Sequence, residues 1–134
     1  MEIKVRFSET DLLGHINNVS YFTYLETARI DFLEQIGLKF TDKFVFILAS
    51  ASCDFMQQGY FGQTFKINTS VSRIGTKSLV LTSEILDKES GELIAKGEST
   101  LVHFDRIEQK SIVLTDGIKE KLLPYMQEMD RAEV

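Results

Sequence analysis

Between Val19 and Gly37 the chain carries a stripe that suits only a helix. Tyr21, Leu25, Ala28, Phe32 and Ile36 step by three and four, while Ser20, Thr23, Thr27, Asp31 and Glu34 fall on the opposite side. Gly37 is a natural stop, because it enters left-handed backbone without steric penalty. Asn17 or Asn18 supplies the N-cap. The spacing thus predicts one amphipathic helix of about five turns. After residue 43 the period falls to two. Ala49, Ala51, Cys53 and Phe55 alternate with Ser50, Ser52 and Asp54, and Phe65, Ile67 and Val71 alternate with Lys66, Asn68, Ser70 and Ser72. Leu79 to Leu86 and Leu93 to Phe104 are further runs. Turn-forming residues separate them at Gln57 to Gly62, Gly75 to Lys77 and Asp87 to Gly91. Glu2 to Ser8 alternates in the same way at the start of the chain. Runs of roughly ten residues exceed the usual strand of about five or six, which suits a sheet that curls around something. The long helix is the available filling.

The predicted architecture is therefore α+β, a long helix wrapped by a five-stranded antiparallel sheet. A second, shorter helix is predicted over Thr115–Met126, with Thr115 as N-cap, Ile118, Leu122 and Tyr125 on one face, and Pro124 ending or bending it. The pattern contains no repeat and no linker, so residues 1–134 read as a single domain. A single helix covers one face of such a sheet, which leaves an edge or face for a second subunit.

Composition removes several classes of function. With 43% hydrophobic and 26% charged residues the chain is globular rather than disordered. Cys53 is the single cysteine and cannot pair within the chain; one thiol and two distant histidines, His15 and His103, make no structural zinc site. Cys53 sits mid-strand and reads as a buried small apolar side chain. The longest apolar stretch, Phe44 to Ala49, is far below the ~20 residues of a membrane span. Nothing after Met1 resembles a signal peptide, and the expected location is cytoplasmic. The net charge of -5, from 15 Lys+Arg against 20 Asp+Glu, disfavours nucleic acid as a partner but leaves room for a local phosphate contact. Neither a metal nor a redox cofactor is implied.

Chemistry concentrates in Ser8 to Tyr21. There is no Gly-rich phosphate loop, no G-x-S-x-G elbow and no H-E-x-x-H pair elsewhere. This segment places two acids, Glu9 and Asp11, with His15, Asn17 and Asn18 between a strand end and a helix start. A helix N-terminus offers free N–H groups and the positive end of the helix dipole, which polarise a carbonyl or hold an oxyanion. A carboxylate beside it can act as nucleophile or general base. The ingredients of acyl transfer are together. Each residue also has a plainer role open to it: Asp11 as a turn acceptor, His15 as packing, Asn17 and Asn18 as caps. Glu26 and Arg29, one helical turn apart, suit an ion pair, and His103 near a strand end reads as structural or exposed.

The segments Val5-Arg-Phe-Ser-Glu-Thr-Asp11, Gly14-His-Ile-Asn-Asn18, Tyr21 and Tyr24-Leu-Glu-Thr-Ala-Arg29, with Gly37, resemble the hotdog-fold acyl thioesterases of the 4-hydroxybenzoyl-CoA thioesterase superfamily. Arg73-Ile-Gly-Thr-Lys-Ser78 resembles that family's turn between the second and third meander strands, and the similarity runs over about residues 1–105. The resemblance implies Asp11 as the catalytic aspartate and Tyr21 as the helix tyrosine near the thioester. Gly14 to Asn18 is more similar to the H-V-N-N segment of plant acyl-carrier-protein thioesterases, which implies His15 and Asn18 in the active site with Asn17 beside the substrate. It also implies coenzyme A contacts at Arg73, Thr76, Lys77 and Ser78. Leu13 stands where the plant enzymes have asparagine, and Asn18 where short-chain enzymes of the bacterial type often have histidine.

The implied reaction is hydrolysis of an acyl-CoA thioester to a carboxylic acid and coenzyme A, in a homodimer or homotetramer whose subunits join sheets edge to edge. Coenzyme A enters only as part of the substrate. An acyl-carrier-protein thioester is an alternative substrate. A non-catalytic acyl-CoA binding or sensor module is the alternative function, and Asp11 argues against it. A hotdog hydratase fits poorly with a histidine placed before the helix.

Overall fold

The computed structural model describes residues 1–11, 13–38 and 40–126. Leu12 of the pre-helix segment, Lys39 and the last eight residues of the 1–134 domain read from the sequence lie outside the described residues. The elements follow as β1 (Glu2–Lys4), α1 (Asn18–Gln35), β2 (Phe44–Phe55), β3 (Thr64–Ile74), β4 (Ser78–Asp87), β5 (Leu93–Asp105), β6 (Lys110–Ser111) and α2 (Asp116–Leu122). The sheet is antiparallel in the order β1-β3-β4-β5-β2, with β6 a short addition to β5 beyond the five expected strands. This is a hotdog fold, the sheet curled around one long helix.

Asn17 is the N-cap of α1, its side chain accepting the Val19 N–H at 2.9 Å. Gly37 (φ 86°) follows the helix, and the Leu38 N–H returns to Leu33 O at 2.8 Å. The buried face of α1 divides into two clusters. Tyr21, Tyr24, Leu25 and Ala28 pack with Phe65, Ile67, Ile85, Ile94 and Ala95, while Phe32 and Leu33 pack with Val71, Leu79, Leu81, Leu101 and Leu122. The sheet thus has a proximal end, beneath the start of α1, and a distal end beneath its last turn. Gly97 lets α1 settle, since a Cβ there would run into Leu25.

Three expectations are corrected. The first strand stops at Lys4, because Arg6 to Glu9 fold into a 3₁₀ turn in which the Arg6 N–H and guanidinium bond the Glu9 carboxylate at 2.8 and 2.7 Å. The strand read over Ala49–Phe55 begins at Phe44, and a bulge between Leu48 and Ser50 changes its parity. The predicted Thr115–Met126 helix is α only to Leu122, and Leu123–Tyr125 around Pro124 is 3₁₀; Thr115 caps as expected, accepting from Ile118 N at 3.2 Å. The ion pair expected of Glu26 and Arg29 forms, with Arg29 on the buried side of α1. Its side chain is only 10% exposed, 3.8 Å from Glu26, and burial lowers its pKa.

Candidate active site

The segment before α1 is a loop tied to its surroundings at every step. The Ile16 N–H donates to Gly59 O at 2.8 Å, the Asn17 N–H to Glu9 O at 2.8 Å and the Phe61 N–H to Gly14 O at 3.2 Å. Gly14 (φ 82°) makes the reversal. Asp11 closes the loop on itself. Its N–H donates to His15 O at 2.8 Å, and its Oδ1 accepts the Leu13 and His15 N–H groups at 2.9 and 3.1 Å. Oδ2 has no donor among the described residues, and Asp11 is exposed.

Glu9 anchors the loop from beneath. It is 7% exposed, and besides Arg6 its carboxylate accepts the Tyr24 hydroxyl of α1 at 3.0 Å. Burial pushes this carboxyl up, and the Arg6 and Tyr24 bonds outweigh it, leaving Glu9 below its usual range. The Tyr24 phenol is raised well above its ordinary value by burial and by the same carboxylate.

At the start of α1, Asn18, Tyr21, Phe55, Met56, Gln57 and Gln58 line a cavity of ≈240 Å³. Tyr21 is buried, its ring 5.2 Å from that of Phe55, and burial raises its phenol against a bond from the Gly59 backbone. The Asn18 N–H has no acceptor among the described residues, so the helix presents a free donor here. Asp11 lines a separate apolar cleft of ≈710 Å³ with Phe7, Thr10, Leu13, Gly14 and Phe61, which shares no lining residue with the Asn18–Tyr21 cavity. His15 sets its ring edge-on to Tyr60 at 5.1 Å. The structure therefore gathers Asp11, His15, Asn17, Asn18 and Tyr21 at one end of the molecule.

Arg73, Thr76, Lys77 and Ser78 are not with them. They belong to the β3–β4 turn, where Leu79 pairs Ile74 and Ser78 pairs Val102, at the distal end of the same chain. His103, expected to be structural or exposed, is buried there at 5% exposure. Cys53 is half-buried on β2, its thiol pushed up to about 11 by burial. Gln57 and Gln58 were missed in the sequence; they lie in a turn nearly forty residues after Asn18, without periodicity to mark them. No cluster of His, Cys, Asp and Glu among the described residues is placed to hold a metal ion.

The pattern of the thioesterase-like superfamily matches residues 5–122, the stretch that contains all of these groups. The chain belongs to that superfamily. The YsmA protein of Bacillus subtilis is 32% identical over 123 residues, covering 91% of this chain and 83% of its own. The long-chain acyl-CoA thioesterase FadM of Escherichia coli is 27% identical over 129 residues, covering 90% and 94%. Among solved structures, a predicted thioesterase from Bacillus stearothermophilus superposes with a TM-score of 0.83 at 30% identity, covering 95% of each chain. This thioesterase-superfamily member has no helix among its described residues long and apolar enough to cross a membrane.

Proposed function

We propose that this chain hydrolyses an acyl thioester of coenzyme A to a carboxylic acid and the free thiol. The observation that carries it is Asp11, held on one oxygen by two backbone N–H groups with the other uncommitted, beside a helix start whose Asn18 N–H is free. A thioester carbonyl at the start of α1 is polarised by that N–H and the helix dipole. Asp11 Oδ2 then either attacks the carbonyl carbon or takes the proton of an attacking water. The C–S bond breaks and the thiolate leaves. Tyr21 and Phe55 wall the site, Asn17 fixes the first turn of α1, Asn18 lines the cavity, and His15 sets its ring against Tyr60. The name of the FadM relative supports acyl-CoA as the substrate class.

The working unit is at least a dimer. β2 is an edge strand of 12 residues with Phe44, Leu48 and Phe55 at 39 to 44% exposure, an arrangement that invites a second strand. Two β2 strands paired antiparallel about their middles bring the distal end of one copy beside the proximal end of the other. Arg73, Thr76, Lys77 and Ser78 of the second copy then stand near this copy's Asp11, where Arg73 and Lys77 meet the phosphates of coenzyme A.

Thiol release from a panel of acyl-CoAs by wild type and Asp11→Asn tests the reading. The expected result is hydrolysis of at least one substrate by wild type, a loss of about 10² or more in the variant, and retained coenzyme A binding. Equal activity would make Asp11 structural and turn attention to His15. Binding without hydrolysis in both proteins would make the chain a binding module.

A further inference from the structure

The loop that carries Asp11 is fastened to α1 through one residue. Three hydrogen bonds cross from the cap and first two turns of α1 to the 3₁₀ turn before Asp11, and among the described residues all three end on Glu9. The Asn17 N–H donates to Glu9 O at 2.8 Å, Ser20 Oγ to the same oxygen at 3.4 Å, and the Tyr24 hydroxyl to Glu9 Oε1 at 3.0 Å. Arg6 holds the carboxylate from the other side, its N–H on Oε1 at 2.8 Å and its guanidinium on Oε2 at 2.7 and 3.2 Å.

Stability alone does not call for this arrangement. A buried carboxylate gives up its hydration, and its ion pair and hydrogen bonds only offset that loss, so an apolar contact of similar volume would join the two elements as firmly. What the network adds is direction, because each bond fixes an angle as well as a distance. Glu9 is 7% and Tyr24 1% exposed, and the Tyr24 ring lies 6.0 Å from those of Tyr21 and Phe65, so packing holds both ends in place. Asp11 is two residues beyond Glu9, past the bridge between Thr10 and Ile16. Tyr21, which walls the Asn18 cavity, is three residues before Tyr24 on the helix. The Glu9 carboxylate therefore sets where Asp11 stands relative to the start of α1.

We propose that Glu9 and Tyr24 are positioning residues, and that their hydrogen bond holds Asp11 at the working distance from a thioester carbonyl at the start of α1. The proposal rests on the thioesterase reading given under Proposed function. Neither side chain lines the Asn18–Tyr21 cavity or the Asp11 cleft, so both act through Asp11 rather than on the substrate. A displacement of about 1 Å at a reacting group can cost about 10² in rate, so loosening this brace lowers kcat and spares affinity.

Tyr24→Phe removes the donor and keeps the buried ring, so the variant should fold. On the best acyl-CoA of the panel its kcat is expected to fall about tenfold, with KM within about twofold of wild type. In an Asp11→Asn background the same substitution should cost nothing further, because a group that acts only through Asp11 has nothing left to position. Glu9→Gln, which turns an amide N–H toward the Arg6 guanidinium, should show the same split. Amide hydrogen exchange, read without substrate, should be about tenfold faster at Leu13, His15 and Asn17 in Tyr24→Phe, with the amides of β4 protected as in wild type. A wild-type kcat in Tyr24→Phe, a change confined to KM, or the same fold-loss in both backgrounds overturns the proposal. Unchanged exchange at the three amides does so as well. If wild type hydrolyses no thioester, the thioesterase reading fails, and the exchange pattern alone decides whether the brace holds the Asp11 loop. If wild type hydrolyses a substrate and Tyr24→Phe matches it, the thioesterase reading stands and the brace does not.

Discussion

Gly59 decides at a single position whether the site has a floor. A Cβ there would lie 2.7 Å from Tyr21 Oη and 2.9 Å from Phe65 Cζ, and would run into the Ile16 side chain as well. Two of those neighbours belong to buried aromatic side chains, Tyr21 at 3% and Phe65 at 0% exposure, which have little room to move. Gly59→Ala is therefore expected to cost about 1–3 kcal/mol, read as a lower Tm, by forcing the start of α1 off the sheet. Because the same shift moves Tyr21 and Asn18, kcat/KM should fall with it; an unchanged Tm would show that the packing yields more easily than these distances allow. Glu9 makes a different demand. Its carboxyl is held below the ordinary 4.5 in the folded chain, so the unfolded chain binds its proton first as pH falls. The stability it supplies is complete above the unfolded value and is lost as pH falls through the folded one. Chemical denaturation followed from pH 6 to below that range should show the loss, and Glu9→Gln should flatten that part of the profile at a lower plateau. Equal pH slopes for the two proteins would remove Glu9 as its source.

Among the strands, β2 is the one with large exposed apolar residues, Phe44, Ile47, Leu48 and Phe55, and it separates what a sequence reveals from what it hides. Leu48 is 44% exposed. Leu48→Glu should therefore leave the single chain folded, while a buried charge on an edge paired to a second strand blocks that pairing. Sedimentation should find a 15.3 kDa particle, with activity at least tenfold lower; a variant that stays assembled and active would exclude β2 as the joint. The alternation of Ala49 to Phe55 was legible, but the first half of the strand was not. Phe44 to Ala49 is apolar throughout, and the bulge after Leu48 exchanges the two faces, so no single period spans the strand. α1 was legible because its stripe, its cap at Asn17 and its stop at Gly37 agree. The Glu26–Arg29 pair was legible from its one-turn spacing, while the burial of Arg29 was not. The pre-helix residues were legible as one group because they are consecutive. Gln57 and Gln58 join them only through the ladder that returns β2 to the helix start, and periodicity does not reveal such contacts.

At the scale of the whole molecule, the separation of Asp11 from Arg73 and Lys77 within one chain becomes a statement about which copy serves which site. If β2 pairs antiparallel with its twin, each site takes Asp11 from one copy and the β3–β4 turn from the other. Homodimers of Asp11→Asn lack the carboxylate at both sites, and homodimers of Arg73→Ala/Lys77→Ala lack the cations at both. In a mixed dimer the defects fall together in one site. The Asp11→Asn chain lends an intact turn to the site whose Asp11 comes from the other chain, so one site is whole. Random mixing makes half the dimers mixed, each with one whole site of two, and about a quarter of wild-type activity should appear where neither parent has it. Should the turn instead serve its own chain's Asp11, every site in the mixed dimer keeps one defect, and activity stays at the average of the parents. Co-expression of the two variants in equal amounts, followed by kcat/KM of the unfractionated mixture on the best substrate of the panel, reads the difference directly. Recovery toward a quarter places the thioester across the joint between copies, with chemistry at one chain's helix start and coenzyme A against the other chain's turn.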